Sequence, residues 1–413
     1  MDASLALSLG QPSTPLSNQV AGHQGVMSDA SGSLVIKPSL AREIAFYQLI
    51  NESPRSSPFT QLKPFIPKFF GTLRLEGRLE GNGQLKDDIP EKAEVPESVV
   101  LQNLSHGFTH PSILDAKLGT VLHEPDAPKE KQERMEKQAK ETTTRETGLR
   151  LTGCQTWHAP TQSYILTPKS FGKGIKASQL PSGMVRYFPL PTDNISSLVT
   201  PPSPAPSTST SSTFGSAQSA QLAPPAPSVP SSAESTAPPH VPLTPLTGNA
   251  ETKEYASHAI PPNLLVRVLD IIDSELAKLE TLLSTLEMRF VGASVLVVYE
   301  GDPERLAAAL ERYDSKPPKF VSDDKEGSED GMDLLSDEET DSEDGDSDDM
   351  DGPKAEEKER RRCPPVVLKL IDFAHTWLAD GEGPDQGVLL GIKTLRGLVA
   401  GRRGEVEKVI KVA

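Results

Sequence analysis

PSILDAKLGT, Pro111 to Thr120, decides the fold of this chain. Read as an extended strand, it divides into two faces. Asp115 and Lys117 stand two residues apart and project to one side, while Leu114, Ala116 and Leu118 project to the other. One face belongs to a core and the other to chemistry. A carboxylate beside an ammonium suits a ligand that carries both a hydroxyl and an anionic phosphate, and Gly119 permits a tight turn or close approach at the strand's end. On an exposed strand the same Asp-x-Lys pair is an ordinary surface ion pair, so its neighbours decide its meaning.

Downstream, PDAPKEKQERMEKQAKETTTRETG predicts a helix from near Pro128 that carries Lys129, Lys131, Arg134, Lys137 and Lys140. Lys131 and Arg134 are three apart, as are Lys137 and Lys140, so the cations share a broad face. Six acidic residues between Asp126 and Glu146 leave a solvated, ion-paired helix as the alternative. Beside Asp-x-Lys, the basic face favours a polyphosphate pocket. VVLKLIDFAHT, Val366 to Thr376, supplies the other half: an apolar strand delivering Asp372 and His375 at its end. Phosphoryl transfer needs a carboxylate to hold Mg²⁺ near the transferred phosphate, and a histidine there can donate to a phosphate oxygen. SGSLVIKPS ends an early apolar strand with Lys37, and Glu43 follows on a helical run, the arrangement by which a lysine on ATP phosphates is oriented by a glutamate. The glycine-rich G-x-G-x-x-G nucleotide loop is absent.

Outward from these motifs, Leu264, Leu265, Val268, Leu269, Ile272, Leu276, Leu279, Leu283 and Leu286 recur at helical spacing and predict a structural helix packed on one side. SVLVVYEGD, Ser294 to Asp302, predicts a buried strand ending in a turn. Strands and helices around a cleft make an α+β fold. The 413 residues carry 36% apolar side chains and 38 prolines, nearly twice the ordinary share of proline, so part of the chain stays out of the core. Pro201 to Ala250 holds 12 prolines with no lysine or arginine, and reads as a disordered tether. Asp323 to Asp351 holds 16 acids and one lysine, which accounts for nearly all of the formal charge of -16. Like-charge repulsion opposes packing there. The balance excludes a strongly basic nucleic-acid binder. Two distant cysteines, Cys154 and Cys363, form neither a zinc pattern nor a disulfide framework. With no secretory signal or membrane-spanning run, the expectation is a soluble intracellular protein.

PSILDAKLG fits the P-x-x-x-D-x-K-x-G signature of the inositol polyphosphate kinase family, and the other landmarks follow in order: QVAGHQG at Gln19, VIKPS, REIAFYQLI, FIPKFFGT at Phe65, TTT…TGLRLTG to Gly153, GMVRYF at Gly183, SVLVVYEGD, and IDFAHT followed by GPDQGVLLGIKTL. The chain therefore resembles that family, and within it a fungal-type multikinase most of all. The resemblance implies a two-lobed, protein-kinase-like fold with ATP in the cleft. It implies Lys37 on phosphate, oriented by Glu43. The backbone from Gln102 to Leu104 would form the adenine hinge, Asp115 would meet the ribose hydroxyls, and Lys117 an inositol phosphate near the transferred group. Asp372 would hold Mg²⁺, with Ser294 at the metal-phosphate region, Lys131 at the family's inositol-phosphate position, and His375 near the substrate. Arg134 and Lys137 join the substrate set from helical geometry. The expected organisation is a flexible start (1–15), an N-lobe (16–104), a C-lobe in three pieces (105–190, 261–321, 360–413), and two insertions (191–260, 322–359).

The expected acceptors are inositol 1,4,5-trisphosphate and then a tetrakisphosphate. The runner-up is a hexakisphosphate kinase making a pyrophosphate; a noncatalytic scaffold for transcription factors or other nuclear proteins is the reading from another class. The family resemblance, with the basic run Lys358 to Arg362, favours the nucleus and allows the cytoplasm. Three departures from the family pattern stand out: Ala293 replaces a serine, Val388 an aromatic, and Lys393 an acid.

Overall fold

Strand alternation builds two antiparallel sheets, and a cleft forms where their faces meet. A computed structural model describes residues 13–16, 20, 25–74, 78–79, 85–86, 97–193, 260–315 and 363–412. Apart from 13–15, 191–193 and 260, the expected flexible start and both expected insertions lie outside the described residues, as do the basic run and most of QVAGHQG. Thr14 and Pro15, at the end of the segment expected to be flexible, are paired as a short strand.

The N-lobe sheet is built from β1 (Thr14–Pro15), β2 (Met27–Ser28), β3 (Leu34–Pro38), β4 (Phe69–Arg74) and, after the small hairpin β5 (Arg78–Leu79) and β6 (Leu85–Lys86), β7 (Glu97–Gln102). Its order is β1-β2-β3-β7-β4. Along β3 the alternation buries Leu34 and Ile36 and turns Val35 and Lys37 to the other face, where both line the cleft. Helix α1 (Ala41–Glu52) buries Ile44, Phe46, Tyr47 and Ile50 at helical spacing, together with Glu43.

The C-lobe sheet has β8 (Pro111–Leu118) at its centre, flanked by β9 (Leu149–His158) and β12 (Ser294–Glu300), with β10 (Ser163–Thr167) and β13 (Val366–Ile371) at the edges. Between β10 and β13 in the chain lies β11 (Met288–Phe290), which pairs separately with β14 (Thr376–Leu378). The strand PSILDAKL is as its alternation requires: Leu114, Ala116 and Leu118 are at most 2% exposed on the core face. A bulge between Asp115 and Ala116 admits Thr152 as the extra residue of β9. Helices follow in chain order as α2 (Lys129–Glu141), α3 (Thr144–Thr147), α4 (Lys169–Gly174), α5 (Leu180–Tyr187), α6 (Pro262–Leu283), α7 (Pro303–Ser315) and α8 (Gln386–Val412). Helix α6 is the expected structural helix. Nine of its side chains are buried, each contributing roughly 2 kcal/mol over exposure, so packing rather than propensity holds it. Leu286 lies beyond its end yet is also buried. Among the described residues no helix is long and apolar enough to cross a membrane.

Two family landmarks are explained by one close approach. Gly148 closes α3 at φ +65°, and a Cβ there would lie 2.6 Å from Gly387 O and 2.7 Å from Gly391 N at the start of α8. Asp385 fixes that helix start by accepting from Gly387 N and Val388 N, and its other oxygen accepts from Phe290 N. Gly148→Ala is expected to cost about 2 kcal/mol or more, through both backbone strain and overlap with α8, read as a lowered midpoint in urea unfolding.

Candidate active site

Lys37 stands where the two lobes meet. Its Nζ donates to Glu43 Oε1 at 2.8 Å and to Asp372 Oδ1 at 2.7 Å. Glu43 comes from α1 and Asp372 from the turn after β13, so one ammonium joins three elements. Burial alone would lower the Lys37 pKa, but Asp372 and Glu43 together outweigh it and hold it above the ordinary lysine value. Glu43 Oε1 accepts a further hydrogen bond from Phe373 N at 3.2 Å, and the Phe373 ring stacks on Phe46 at 4.0 Å between centroids. Asp372 itself adopts φ +67°, a left-handed conformation that costs a non-glycine residue about 1 kcal/mol and re-aims the chain after the strand.

Opposite this triad, β8 presents its polar face. Directly opposed residues of antiparallel neighbours share a face, and the register puts Arg150, Lys117, Ser294 and Ile371 in one row across β9, β8, β12 and β13. Asp115 stands one step along the same face. Burial, and secondarily the charge of Asp372, push its carboxyl up to about 6 against the pull of Lys117. Burial lowers the Lys117 pKa, opposed by Asp115 and Asp372, and its Nζ donates to Gly292 O. Burial also lowers the Arg150 pKa, opposed by Asp115.

Several buried atoms here lack a well-aligned hydrogen bond among the described residues: Asp115 Oδ1, Ser294 Oγ and an Nη of Arg150, although the Ser294 hydroxyl lies close enough to the Asp115 carboxylate to favour its charged form. Buried polar groups are seldom left so, and three on one sheet face mark a place where a ligand completes the bonding. Asp372 and Ser294 offer hard oxygen donors suited to a divalent cation that takes its remaining ligands from phosphates and water. The described residues hold no cluster of three or more His, Cys, Asp or Glu that could hold a metal ion. Gln102, Asn103 and Leu104 line the same cleft with Lys37, Asp115 and Asp372. A larger cavity of about 480 Å³, lined chiefly by apolar side chains such as Phe46, Leu49, Met288 and Leu378, lies outside this polar cluster.

Of the substrate cations predicted on α2, none is fully buried. Lys131 is half-buried and Arg134 exposed, and no ion pair or hydrogen bond joins either to the cleft among the described residues. Lys137 lies 3.8 Å from Glu141, an exposed pair one helical turn on. His375 has its Nδ1 3.2 Å from Glu124 Oε1, and Glu124 also accepts from Arg42 of α1. This link ties the segment before α2 to the turn that carries Asp372. Arg150, Glu124 and Arg42 were missed by sequence reasoning. A lone cation within Leu149-Arg150-Leu151 was the available signal for Arg150; for the other two there was none.

The three departures prove structural. Ala293 is buried and its carbonyl accepts from Leu118 N at 2.9 Å, Val388 packs in the core near Gly119, and Lys393 reaches Glu280 at 4.0 Å.

A family model described as inositol polyphosphate kinase matches residues 98–200 and 253–400, more than half of the chain. The chain belongs to the inositol polyphosphate kinase family. It is therefore an inositol phosphate kinase, a phosphotransferase. The inositol polyphosphate multikinase of Saccharomyces cerevisiae is 26% identical over 92% of this chain and 96% of that protein. That of Schizosaccharomyces pombe is 29% identical over 41% of this chain, which spans 61% of that protein. Rat inositol hexakisphosphate kinase 1 is 30% identical over only 22% of this chain and 21% of its own. A crystal structure of the S. cerevisiae multikinase, solved with ADP and Mn²⁺, shares the fold at a TM-score of 0.51 and 19% identity, covering 90% of this chain and 99% of that one.

The pKa of Asp115 carries a stability prediction. Raised to about 6 from 3.8, it means that the folded protein holds the proton more tightly than the unfolded chain, so this group's contribution is present at low pH and lost as pH rises through about 6. Asp115→Asn is expected to stabilise the ligand-free protein by up to roughly 3 kcal/mol at pH 7–8, with the difference shrinking through pH 5–4 and vanishing below about pH 3, measured by urea unfolding across that range.

Proposed function

We propose that the enzyme is a multikinase that transfers the γ-phosphate of ATP, with Mg²⁺, to inositol 1,4,5-trisphosphate and then to the tetrakisphosphate product, giving a pentakisphosphate. The observation that carries phosphoryl transfer is Lys37 held between Glu43 and Asp372 over the Asp115–Lys117 face. For the acceptor, the support is similarity along nearly the whole chain to one multikinase, against a short match to a hexakisphosphate kinase.

In this reading adenine lies against Gln102–Leu104, Lys37 binds the phosphates, and Glu43 fixes the lysine's direction. Asp372, with Ser294 adjacent, would hold Mg²⁺, which would supply charge neutralisation for the transferred phosphate. Asp115 takes the ribose hydroxyls, and Lys117 holds an acceptor phosphate beside the reacting hydroxyl. Lys131, Arg134 and Lys137 present cations to the rest of the polyanion, and His375, oriented through Glu124, faces it from the turn. Positioning and charge stabilisation then lower the barrier. We further propose a nuclear site of action, with nuclear proteins as partners; loss of nuclear fluorescence on replacing Lys358 to Arg362 by alanine in a tagged chain checks the location.

The deciding measurement incubates the purified protein with ATP-Mg²⁺ and either inositol 1,4,5-trisphosphate or inositol hexakisphosphate, with products identified by chromatography and mass spectrometry. Tetrakis- and pentakisphosphates from the first are expected. A pyrophosphate formed only from the second would identify a hexakisphosphate kinase, and no turnover of either by folded, ATP-binding protein would favour a scaffold. Lys117→Met is expected to lower turnover by about 10²–10³-fold while ATP affinity stays within about twofold, since the lost charge acts on the acceptor and the transition state.

A further inference from the structure

The row across the C-lobe sheet has a direction. Asp372 follows Ile371 at one end, Ser294 and Lys117 occupy the middle, and Arg150 ends it on β9. The metal-binding carboxylate and Arg150 therefore flank Lys117 on opposite sides. Arg150 is only 7% exposed, one Nη has no hydrogen-bond partner, and the residue forms no ion pair among the described residues. A buried guanidinium with no hydrogen-bonded carboxylate or carbonyl is costly to the fold, and the charge of nearby Asp115 only partly offsets that cost. By contrast, Arg402, which is just as buried, bonds Phe188 O and Asp193 and is plainly structural.

We propose that Arg150 is a further catalytic residue, which binds a phosphate of the inositol phosphate acceptor jointly with Lys117. Its place beyond Lys117, away from Asp372, assigns it to the acceptor rather than to the nucleotide. Its planar fork suits a phosphate's oxygens, and the arriving anion supplies the acceptor atoms that the unliganded site lacks. Arg150 moves no proton and forms no bond to phosphorus; it holds charge. The proposal rests on the inositol phosphate kinase reading and adds a residue to it.

The test uses the full chain with Arg150→Gln and Arg150→Lys. Calorimetry with inositol 1,4,5-trisphosphate is expected to show affinity lowered by about tenfold or more in Arg150→Gln and partly recovered in Arg150→Lys, with ATP-Mg²⁺ affinity within about twofold of the parent in both. Thermal unfolding of ligand-free Arg150→Gln is expected at or above the parent's midpoint, because an unpaired buried cation has been removed. A lowered midpoint would make Arg150 structural, and unchanged trisphosphate affinity would remove it from the site; either result overturns the proposal. Should the parent bind neither inositol 1,4,5-trisphosphate nor inositol hexakisphosphate, the acceptor reading falls, and Arg150 is then judged on inorganic pyrophosphate. A thermal shift with that anion in the parent but not in Arg150→Gln sustains an anion-binding Arg150, and an equal shift in both overturns it.

Discussion

Everything at the centre of this molecule depends on one ammonium group held by two carboxylates from different parts of the chain. Lys37 is largely buried, and its desolvation is offset only because Glu43 and Asp372 both reach it. Neither acid is free to move alone. Glu43 is also fixed by the Phe373 backbone, and Phe373 is stacked on the helix that carries Glu43. The direction of the lysine, the seating of α1 and the backbone turn at Asp372 are therefore one cooperative unit. Loss of any partner leaves buried charge uncompensated, which is a larger penalty than the loss of a surface ion pair.

The opposite wall of the cleft has the reverse character. The buried tyrosines behind the sheet are satisfied, with Tyr187 donating to Ser112 O and Val297 O and Tyr299 donating to Tyr187 O. On the cleft face Asp115, Ser294 and Arg150 each keep an unpartnered buried atom. Such a surface weakens the ligand-free fold and gains its bonds on binding, which is how a site for polyanions and a metal departs from the consistency of the core around it. The rigid sheet sets the spacing of these groups, so ligand binding has no need to order them first.

Much of this was legible in the chain. The alternation in PSILDAKL correctly separated Asp115 and Lys117 from the core residues between them, and the leucine spacing after Asn263 correctly marked α6. The strand before Asp372 was visible as an apolar run ending in polar residues. Arg150 was not legible as a site residue, because Leu-Arg-Leu is also what any half-exposed strand looks like; only its register against Lys117 and its burial distinguish it. Glu124 carried no signal either. Its partners, Arg42 and His375, are distant in the chain, and neither contact follows from a local period.

Local sequence determined what depends on near neighbours: which residues alternate on a strand, where a helix shows its apolar side, where glycine must take a left-handed turn, and by the ordered motifs which family the chain belongs to. Tertiary structure alone decided which of these pieces meet. The pairing of Lys37 with Asp372 spans 335 residues, and the row from Arg150 to Ile371 draws on four strands. The physical reason is that burial and charge are collective quantities. Whether a carboxyl titrates near 4 or near 6, or a cation is paired or waiting for a ligand, is set by the field of every element packed around it, and no single stretch of sequence contains that field.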